Sequence, residues 1–543
     1  MDTLPLVYSV PVAAPEPSLQ DNTADLDRLR VALVHALDDS PAARPLDLEI
    51  PFRAMAPVAA RFRAAGFSGH AVLNVLPHRL ELVDFLAAPS PVLPAMALDL
   101  GTTHLEATLL DLATGARLAR AHTPNRQIEY GADILSRIHF AATTDESGVS
   151  GRVLLQEAVV ESINTLAGEL ARGAGVAPEQ IRAVSVSGNT TMVHLLLGLN
   201  PYHICREPYI PLVNAPDPLA ASEIGLAVHP LAPVWVLPST GSYFGGDLIS
   251  GILASGLDRM EQTCMLIDVG TNAEVVLGNR DWLIACAGAA GPALEGGVAR
   301  MGMRAGPGAI EHVRVDRKAW RLEYTTIDDT PPAGICGSGL IDLVAELYLA
   351  RIVDLRGKLQ PGGDDGPPAR QRFIRERLQK VEGEWAFVVV PAQETVHGRP
   401  VVLSQVDLDA MMRSKAAMYA ILTTLTSQVG VEFADLETIF VAGAFGRHID
   451  PRQAIVLGML PDLPLSSYHP LGNSSLAGAE LILLDGEARK RSSEIGRRIT
   501  YIELNVNQEF MIRFSGSRFI PHTDPALFPS VPVFGNEQQD RKA

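Results

Sequence analysis

The sequence predicts an α/β fold class in which a two-lobed, duplicated body follows a small N-terminal α+β domain. Two stretches carry this prediction, LDLGTTHLEATLLDL at 98–112 and LIDVGTNAEVVLG at 266–278. Each has the pattern of an apolar strand, a tight turn with an acid and a glycine, and a second strand. Because such matched hairpins seldom arise by chance, we interpret them as a duplication with a pseudo-twofold cleft.

Length, charge and composition narrow the classes of protein. The 543 residues are enough for two or more domains with large cores. A formal net charge of −17 disfavours a nucleic-acid partner and an anionic membrane surface. No apolar run reaches about 18 residues, so no membrane-spanning helix is expected. The N-terminus lacks a basic segment and is interrupted by prolines, which is not typical of a secretory signal.

The cysteines argue against a cluster bound within these residues. They lie far apart and form no C-x-x-C spacing, which disfavours a zinc finger and a local iron–sulfur framework. We therefore expect no iron–sulfur cluster here and a reducing, cytoplasmic location. Each thiol is expected to be a small buried group. The four positions are Cys205, Cys264, Cys286 and Cys336.

The residues before the body are expected to form a tail and a small domain. Residues 1–24 are predicted to be a flexible tail, and residues 25–90 an α+β domain with no catalytic constellation. The prolines at 89–94 mark a linker into the body. The predicted elements of the small domain are two helices and two strands, at 25–37, 51–66, 70–76 and 78–85.

The body is predicted to span residues 95–530, with a tail at 531–543. A helix is expected at 474–500 and a strand pair at 501–514. Its predicted parts are a first lobe at about 95–260, a second lobe at about 261–470 and a C-terminal return at about 471–530.

The first hairpin turn has the chemistry of a phosphate site. Gly101 permits a sharp turn, and the hydroxyls of Thr102 and Thr103 can converge with backbone N–H groups on phosphate oxygens. Asp99 beside them can hold Mg²⁺, usually through water. A plain polar hairpin turn is the alternative for one copy alone. The second turn repeats the plan with Asp268, Gly270, Thr271 and Asn272.

Two further turns in the first lobe are candidates. Gly188 and Asn189 follow a buried strand and precede an apolar helix, so they either face the cleft or form an ordinary connection with a threonine N-cap. His194 on that helix is expected to be a packed histidine. Asp247 follows two glycines at a helix start, where it is either stabilised by the helix dipole or positions water or Mg²⁺.

The glycine-rich stretch at 285–310, with Glu295 as its one acid, is predicted to be a mobile loop over the ligand; a set of tight turns is the alternative. GICGSGLIDLVAEL at 334–347 reads as a turn into an amphipathic helix, where Gly337, Ser338 and Gly339 form a link between lobes or an anion site. Residues 357–370 are predicted to be an exposed linker.

A long helix is predicted at 406–430, with Asp407 as its cap. The stretch after it, 438–460, reads as a buried strand, a turn with Gly443 and Gly446, and a helix that starts near Pro451. A glycine turn of this kind lets a flat base and a ribose lie against the backbone, so it is the natural adenosine site. A generic strand–turn–helix is the alternative.

These motifs in this order resemble the acetate kinase, sugar kinase, Hsp70 and actin superfamily, which implies an actin-like or Hsp70-like ATPase fold. The strings SVSGNTTM, GPALEGG, GICGSGLIDLVAEL and VAGAFG, with the C-terminal YIEL pattern, are similar to reductive activators of corrinoid-dependent methyltransferases. The resemblance implies ATP and Mg²⁺ as cofactors, with phosphate and metal at the two hairpins and adenosine at the two late glycines.

The resemblance implies that the chain uses ATP to support reduction of a corrinoid protein from Co(II) to Co(I). Family members usually carry a cysteine-ligated cluster, which these cysteines do not match, so we expect a separate low-potential electron donor. A non-redox reactivating chaperone is the alternative. A small-molecule kinase and a nucleotide-binding module without turnover are further ones. A homodimer is compatible with the sequence.

Overall fold

The computed structural model divides the chain into two compact units. The first comprises Met1–Ala254 and Ser474–Arg498, and the second comprises Ser255–Asn473 and Ile499–Ala543. The structure describes residues 4–38, 47–145, 147–242, 244–270, 272–288, 299–361, 366–504 and 507–534.

The N-terminal part of the first unit is a sheet with strand order β1-β3-β4-β2 and two helices. Val7 and Val12 of β1 are buried, and β1 pairs antiparallel with β3. The prediction of a flexible tail at 1–24 is therefore wrong for β1, whereas the two helices and two later strands are confirmed. The elements are β1 (Val7–Ala13), α1 (Asp25–Asp38), β2 (Asp47–Glu49), α2 (Phe52–Ala64), β3 (Ser68–Val75) and β4 (Arg79–Leu86).

The rest of the first unit is built on a sheet with strand order β7-β6-β5-β8-β10-β9. Strands β5, β6 and β7 form an antiparallel meander, and β8 and β10 add in parallel. The elements are β5 (Pro94–Leu100), β6 (His104–Asp111), β7 (Arg117–Pro124), α3 (Ile134–Ala141), α4 (Gly151–Ala174), β8 (Val184–Gly188), α5 (Thr190–Leu196), β9 (Leu219–Ala220), β10 (Pro233–Val236) and α6 (Gly246–Ser255).

The second unit has a sheet with strand order β21-β20-β11-β12-β13-β22 and two smaller sheets, β15-β14-β16 and β17-β18-β19, among the residues described. Its elements up to α9 are β11 (Cys264–Val269), β12 (Ala273–Gly278), β13 (Leu283–Gly288), β14 (Ala309–Asp316), β15 (Arg321–Thr326), β16 (Gly334–Ile335), α7 (Gly337–Leu349), α8 (Pro368–Arg377), β17 (Leu378–Val381), β18 (Glu384–Val390), β19 (Val401–Ser404) and α9 (Gln405–Gln428).

The C-terminal part alternates between the units, because α12 and α13 belong to the first unit and the elements around them to the second. The predicted single helix at 474–500 is wrong, because two helices, α12 and α13, occupy this stretch. The elements are β20 (Thr438–Ala442), α10 (Gly443–His448), α11 (Pro451–Leu457), β21 (Tyr468–Gly472), α12 (Ser474–Leu484), α13 (Gly486–Arg498), β22 (Ile499–Tyr501) and α14 (Gln508–Gly516).

The two large sheets repeat one plan, which confirms the predicted duplication. In each, a meander of three strands is extended by two parallel strands beside its first strand. Asp99 lies opposite Glu106 on its antiparallel neighbour, and Asp268 lies opposite Glu274 in the same way. The two acids of the predicted hairpins therefore hold equivalent positions.

Some predicted boundaries are wrong because a different side chain caps the helix. Ser404, not Asp407, is the N-cap of α9, and the Asp407 carboxylate accepts from the Ser404 N–H at 2.9 Å. The strand pair predicted at 501–514 is wrong beyond β22. There Asn507 caps α14, and Arg513 donates to Glu509 at 3.0 Å one turn away.

The prediction of an exposed linker at 357–370 is wrong at both ends. Gly357 and Leu359 are buried, and Pro368 begins α8. Residues 362–365 lie outside the described residues. Across the part of the chain that the structure describes, no helix combines the length and the apolar character needed to cross a bilayer.

Candidate functional site

The first hairpin turn is tightly held. A Cβ at Gly101 would lie 2.3 Å from the carbonyl oxygen of His104, so only glycine fits this position. Asn125 ties the turn down: its side-chain amide donates to the Gly101 carbonyl at 3.0 Å, and its N–H donates to the Thr103 carbonyl at 2.9 Å. Sequence reasoning missed Asn125, which no local motif marks. Thr102 and Thr103 are half-buried and lie at the surface of this fixed turn.

Asn189 joins the neighbouring strand to the first turn. Its side-chain oxygen accepts from the Met192 N–H at 3.0 Å, which makes Asn189 the N-cap of α5 in place of the predicted threonine. Its side-chain amide donates to the Thr102 hydroxyl at 3.2 Å. Gly188 before it is buried against β5, since a Cβ there would lie 2.8 Å from the Leu100 carbonyl oxygen. The predicted residues of the first hairpin and of this turn are thus brought together.

Asp247 lies in the first turn of α6, close to the turn that contains Asn189. A Cβ at Gly245 would lie 2.3 Å from Asn189 Cα, so the α6 entry packs directly on the turn that caps α5. One Asp247 oxygen accepts from the Leu248 N–H at 2.9 Å. Burial raises the pKa of Asp247 to about 6, and the charge of Asp99 adds to this effect. Asp99 and Asp247 are therefore close enough for their negative charges to repel each other, and a bound cation would reduce this repulsion.

Ser475, on α12, completes this region. Its hydroxyl donates to an Asp99 carboxylate oxygen at 2.7 Å. The two residues are 376 positions apart, so no spacing in the sequence could have indicated the contact.

The histidine predicted to be packed is confirmed. His194 is fully buried, and one ring nitrogen lies 2.7 Å from the Thr190 carbonyl oxygen. The other ring nitrogen accepts from the Leu212 N–H at 3.2 Å. Burial lowers the pKa of His194, which fits a neutral structural role.

The second hairpin turn repeats the first in the second unit. The Gly270 N–H donates to the Asn272 carbonyl at 2.9 Å, which closes the turn. Asp268 is half-buried and Asn272 is exposed, while Thr271 lies outside the described residues. Gly443 packs beside the acid: its φ is 78°, and a Cβ would lie 2.7 Å from an Asp268 carboxylate oxygen. Only glycine suits this position on both grounds.

Other predicted ligand residues have packing contacts of their own. A Cβ at Gly339 would lie 2.2 Å from the Ile310 carbonyl oxygen, and one at Gly446 would lie 2.3 Å from the Val441 carbonyl oxygen. The Ser338 hydroxyl donates to the Glu311 carbonyl at 3.0 Å. These residues hold a helix close to a strand, which accounts for their identity without a ligand. Gly337 is half-exposed at the start of α7.

The residues predicted to hold a metal are aspartates, whose oxygen donors suit Mg²⁺ better than the cysteine-ligated clusters that thiolates bind. In the described ranges no three His, Cys, Asp or Glu side chains come together to hold a metal. Asp99 and Asp247 supply carboxylate oxygens within the first unit, and Asp268 supplies them within the second. Oxygen is the ligand that Mg²⁺ prefers, and Mg²⁺ completes its shell with water and phosphate. The four cysteines are free, and burial raises the pKa of the Cys264 and Cys286 thiols. Glu295 lies outside the described residues.

Comparison with known proteins places these elements in a family. Residues 262–532 match the model of the C-terminal domain of RACo, the ASKHA domain, and residues 94–260 match the RACo middle region. The chain is 32% identical to the corrinoid activation enzyme RamQ of Eubacterium limosum over 447 residues, which are 82% of this chain and 73% of RamQ.

The chain belongs to the RACo family of corrinoid activators.

Two further relatives agree with this placement. The reductase of a Co(II) methylated amine-specific corrinoid protein from Methanosarcina barkeri is 24% identical over 421 residues, 75% of this chain and 72% of that protein. The solved structure of a reductive activator for a corrinoid, iron–sulfur protein is 35% identical, with a TM-score of 0.86, and the match covers 97% of this chain and 81% of that one. The predicted resemblance and the ASKHA, actin-like fold class are therefore confirmed for this family member.

Proposed function

We propose that this chain is an ATP-dependent activator that supports reduction of a corrinoid protein from Co(II) to Co(I). The observation that carries the proposal is the similarity to RamQ over 82% of the chain. The two hairpins support it, because Asp99 and Asp268 hold equivalent positions in their sheets and the turns beside them supply the donors that a nucleotide phosphate and its metal require. A corrinoid protein, or a methyltransferase that depends on one, is the proposed partner.

In this proposal, the two turns bind phosphate through backbone N–H groups and side-chain donors. Asn189 would support the first turn, and the start of α7 at Gly337–Gly339 would contribute N–H groups. Gly443 and Gly446 would border the adenosine, although their packing contacts already account for glycine at both positions. The phosphate-binding residues are Gly101, Thr102, Thr103, Gly188, Gly270, Thr271 and Asn272.

Mg²⁺ would be held chiefly through water, with Asp99 as the candidate ligand at the first hairpin and Asp268 at the second, and it would neutralise the phosphate charge when bound. Asp247 is the candidate group for orienting a water, since it lies close enough to Asp99 for their charges to interact. A carboxyl with a pKa of about 6 exchanges a proton near neutral pH, which suits a group that accepts a proton from water.

The electrons would come from a low-potential donor outside these 543 residues. The free cysteines do not have the spacing of a cluster, and three of them are buried, so they offer no redox site of that kind. Free thiols also fit a reducing compartment, and we propose that the protein acts in the cytoplasm. The same cysteine pattern favours one alternative, a chaperone that reactivates a corrinoid enzyme by nucleotide-driven movement without electron transfer.

The decisive experiment measures MgATP hydrolysis and Co(I) formation in one set of reactions. The purified chain is mixed with a Co(II) corrinoid protein, with and without a chemical low-potential reductant. We expect Co(I), recorded by its visible absorbance, only when ATP and reductant are both present. Asp268→Ala should abolish it. Asp281→Ala, which removes an exposed acid from the β12–β13 turn of the same unit, should leave it unchanged.

Other results would favour other functions. ATP hydrolysis that responds to the corrinoid protein without any Co(I) would favour the chaperone. Phosphorylation of a metabolite in the absence of a protein partner would indicate a kinase, and ATP binding without turnover would indicate a binding module. Failure to bind ATP at all would overturn the proposal. Light scattering of the purified chain checks whether it forms the homodimer with which the sequence is compatible.

A further inference from the structure

Three buried serine hydroxyls form a hydrogen-bonded chain that ends at Asp99. The Ser475 hydroxyl lies 2.7 Å from an Asp99 carboxylate oxygen, and the Ser187 hydroxyl lies 2.8 Å from that of Ser475. The Ser250 hydroxyl lies 2.8 Å from that of Ser187. Ser187 and Ser250 have no exposed surface, and Ser475 is 7% exposed. The four groups come from β5, α12, β8 and α6, and all four residues belong to the first unit.

The carboxylate fixes the direction of this chain. An ionised carboxylate only accepts hydrogen bonds, and each serine hydroxyl has one proton to donate. Ser475 therefore donates to Asp99, which leaves its oxygen to accept from Ser187, and Ser187 in turn accepts from Ser250. Hydrogen bonds aligned in one direction polarise each other, so the outer two hydroxyls strengthen the one that reaches Asp99.

Helices α6 and α12 touch where the chain begins. A Cβ at Gly478 would lie 2.4 Å from Ser250 Cα, so glycine is needed for the close approach of the two helices. Ser475 lies three residues before Gly478 and therefore on the same face of α12. Strand β8 adds a second contact with α12, since the Ser185 hydroxyl donates to the Ala479 carbonyl at 2.7 Å. The position of the Ser475 hydroxyl is thus set by packing on two sides.

We propose that Ser475 is a positioning residue for Asp99, and that Ser187 and Ser250 hold its hydroxyl in place. The donated hydrogen bond occupies one carboxylate oxygen and so turns the other toward the metal and its waters. This inference rests on the proposed nucleotide and metal site, and it concerns a residue that no motif of the sequence marks. Ser475 acts through Asp99 and has no contact of its own with the metal in this account.

Ser474 provides a matched control. It is the first residue of α12, directly before Ser475, and it is also buried. Its hydroxyl has no hydrogen-bond partner among the atoms that the structure describes. Ser474→Ala and Ser475→Ala therefore remove the same atom from the same helix turn, but only the second removes a donor to Asp99.

The test measures MgATP binding by calorimetry as a function of free Mg²⁺, and ATP binding in excess EDTA. We expect Ser475→Ala to raise the Mg²⁺ concentration for half-saturation about tenfold, because it removes a hydrogen bond to a charged group. ATP affinity in EDTA should stay within about twofold of the unaltered chain. Ser187→Ala should shift the Mg²⁺ dependence in the same direction by less, and it stands in for Ser475→Ala if that variant does not fold. Ser474→Ala should match the unaltered chain.

A second readout needs neither nucleotide nor metal. In EDTA, the loss in Tm of the double variant Asp99→Ala/Ser475→Ala should be smaller than the sum of the two single losses, because each single change already breaks the one hydrogen bond that joins the two side chains. Additive losses, or equal Mg²⁺ dependence of the Ser474 and Ser475 variants, would overturn the inference. The proposed function fails separately, if the unaltered chain binds MgATP but never supports Co(I) formation. If the unaltered chain binds no MgATP, both are overturned.

Discussion

Replacing Asp247 by asparagine should stabilise the first unit while weakening its chemistry. Burial, reinforced by the charge of Asp99, raises the pKa of Asp247 to about 6 from an ordinary 3.8. That difference corresponds to about 3 kcal/mol by which the folded chain disfavours the ionised form at neutral pH. An amide has nearly the same shape and no charge. We therefore expect the free energy of unfolding of Asp247→Asn to rise by about 1–3 kcal/mol near pH 8.

The pH dependence of this gain identifies its cause. Well below pH 3.8 the carboxyl is neutral in both the folded and the unfolded chain, so the charge has no effect on stability. As the pH rises from about 4 to about 6, the unfolded chain releases its proton first, and the folded state loses stability. The advantage of the asparagine variant should therefore be about a third of its full size near pH 4.5 and complete near pH 8.

The assay is urea unfolding at the two pH values without nucleotide, with hydrogen exchange of the α6 amides to localise the effect. Asp145→Asn is the control from the same unit, because Asp145 is exposed and the Ser147 hydroxyl helps to lower its pKa. Its loss of stability should be present at neutral pH and fade at low pH. A gain for Asp247→Asn that is absent at pH 8, or equal at both pH values, would refute burial of charge as the cause. MgATP hydrolysis by the variant should fall at the same time.

Further variants test a buried ion pair away from the site and the glycine beside Asp268. Asp84→Ala should lower the free energy of unfolding by about 3–5 kcal/mol at pH 7, because it leaves the guanidinium of Arg182 in a largely buried place without the partner at 2.5 Å. Burial disfavours the Asp84 charge, but Arg182 and Arg61 outweigh burial and lower the pKa of Asp84. The loss of stability in Asp84→Ala should therefore shrink as the pH falls through that pKa, and an equal loss at low pH would contradict this explanation. Gly443→Ala should lower the free energy of unfolding by about 1–2 kcal/mol from its positive φ alone. The added methyl group should also displace Asp268 and so lower MgATP hydrolysis, and unchanged hydrolysis would contradict this contact.

The sequence was informative where the determinants of structure are local. Both hairpins were predictable because an apolar strand, an acid and a glycine stand within a few residues of each other, and the structure keeps them in that order. The packed His194 was predictable for the same reason, since its neighbours on α5 are apolar. The duplication followed from the similarity of two such local patterns rather than from any long-range contact.

The parts that failed depend on partners far along the chain. The sequence does not predict β1, because its partner β3 lies about 60 residues away and the alternating valines alone do not outweigh the prolines around them. The strand pair predicted at 501–514 is wrong where α14 begins, and the helical spacing of Phe510 and Phe514 was the signal that favoured a helix there. Ser475 could not be found at all, since a serine at a helix start has an ordinary capping role by default.

Glycine gave the least specific signal, because one residue type serves two purposes. Gly443 and Gly446 stand three residues apart in one motif and were assigned to one ligand. The structure separates them: Gly443 lies beside a carboxylate oxygen of Asp268, whereas Gly446 lies against the Val441 carbonyl within the same strand–helix connection. A motif match therefore indicates the site as a whole, and only the contacts distinguish residues near the acid from residues that hold the helix.

The two halves of the duplication keep one backbone plan but surround their acids differently. On the parallel strand beside Asp99 stands Ser187, which takes part in the hydroxyl chain, and beside Asp268 stands Ala442, followed by Gly443. A hydroxyl next to a carboxylate restricts its orientation, whereas alanine and glycine leave space for backbone or ligand atoms to approach. Equal substitutions at the two acids are therefore different experiments. Asp99→Asn alters a carboxylate that the serine hydroxyls orient. Asp268→Asn alters a carboxylate beside Gly443, where the absence of a side chain leaves space for other atoms to come close.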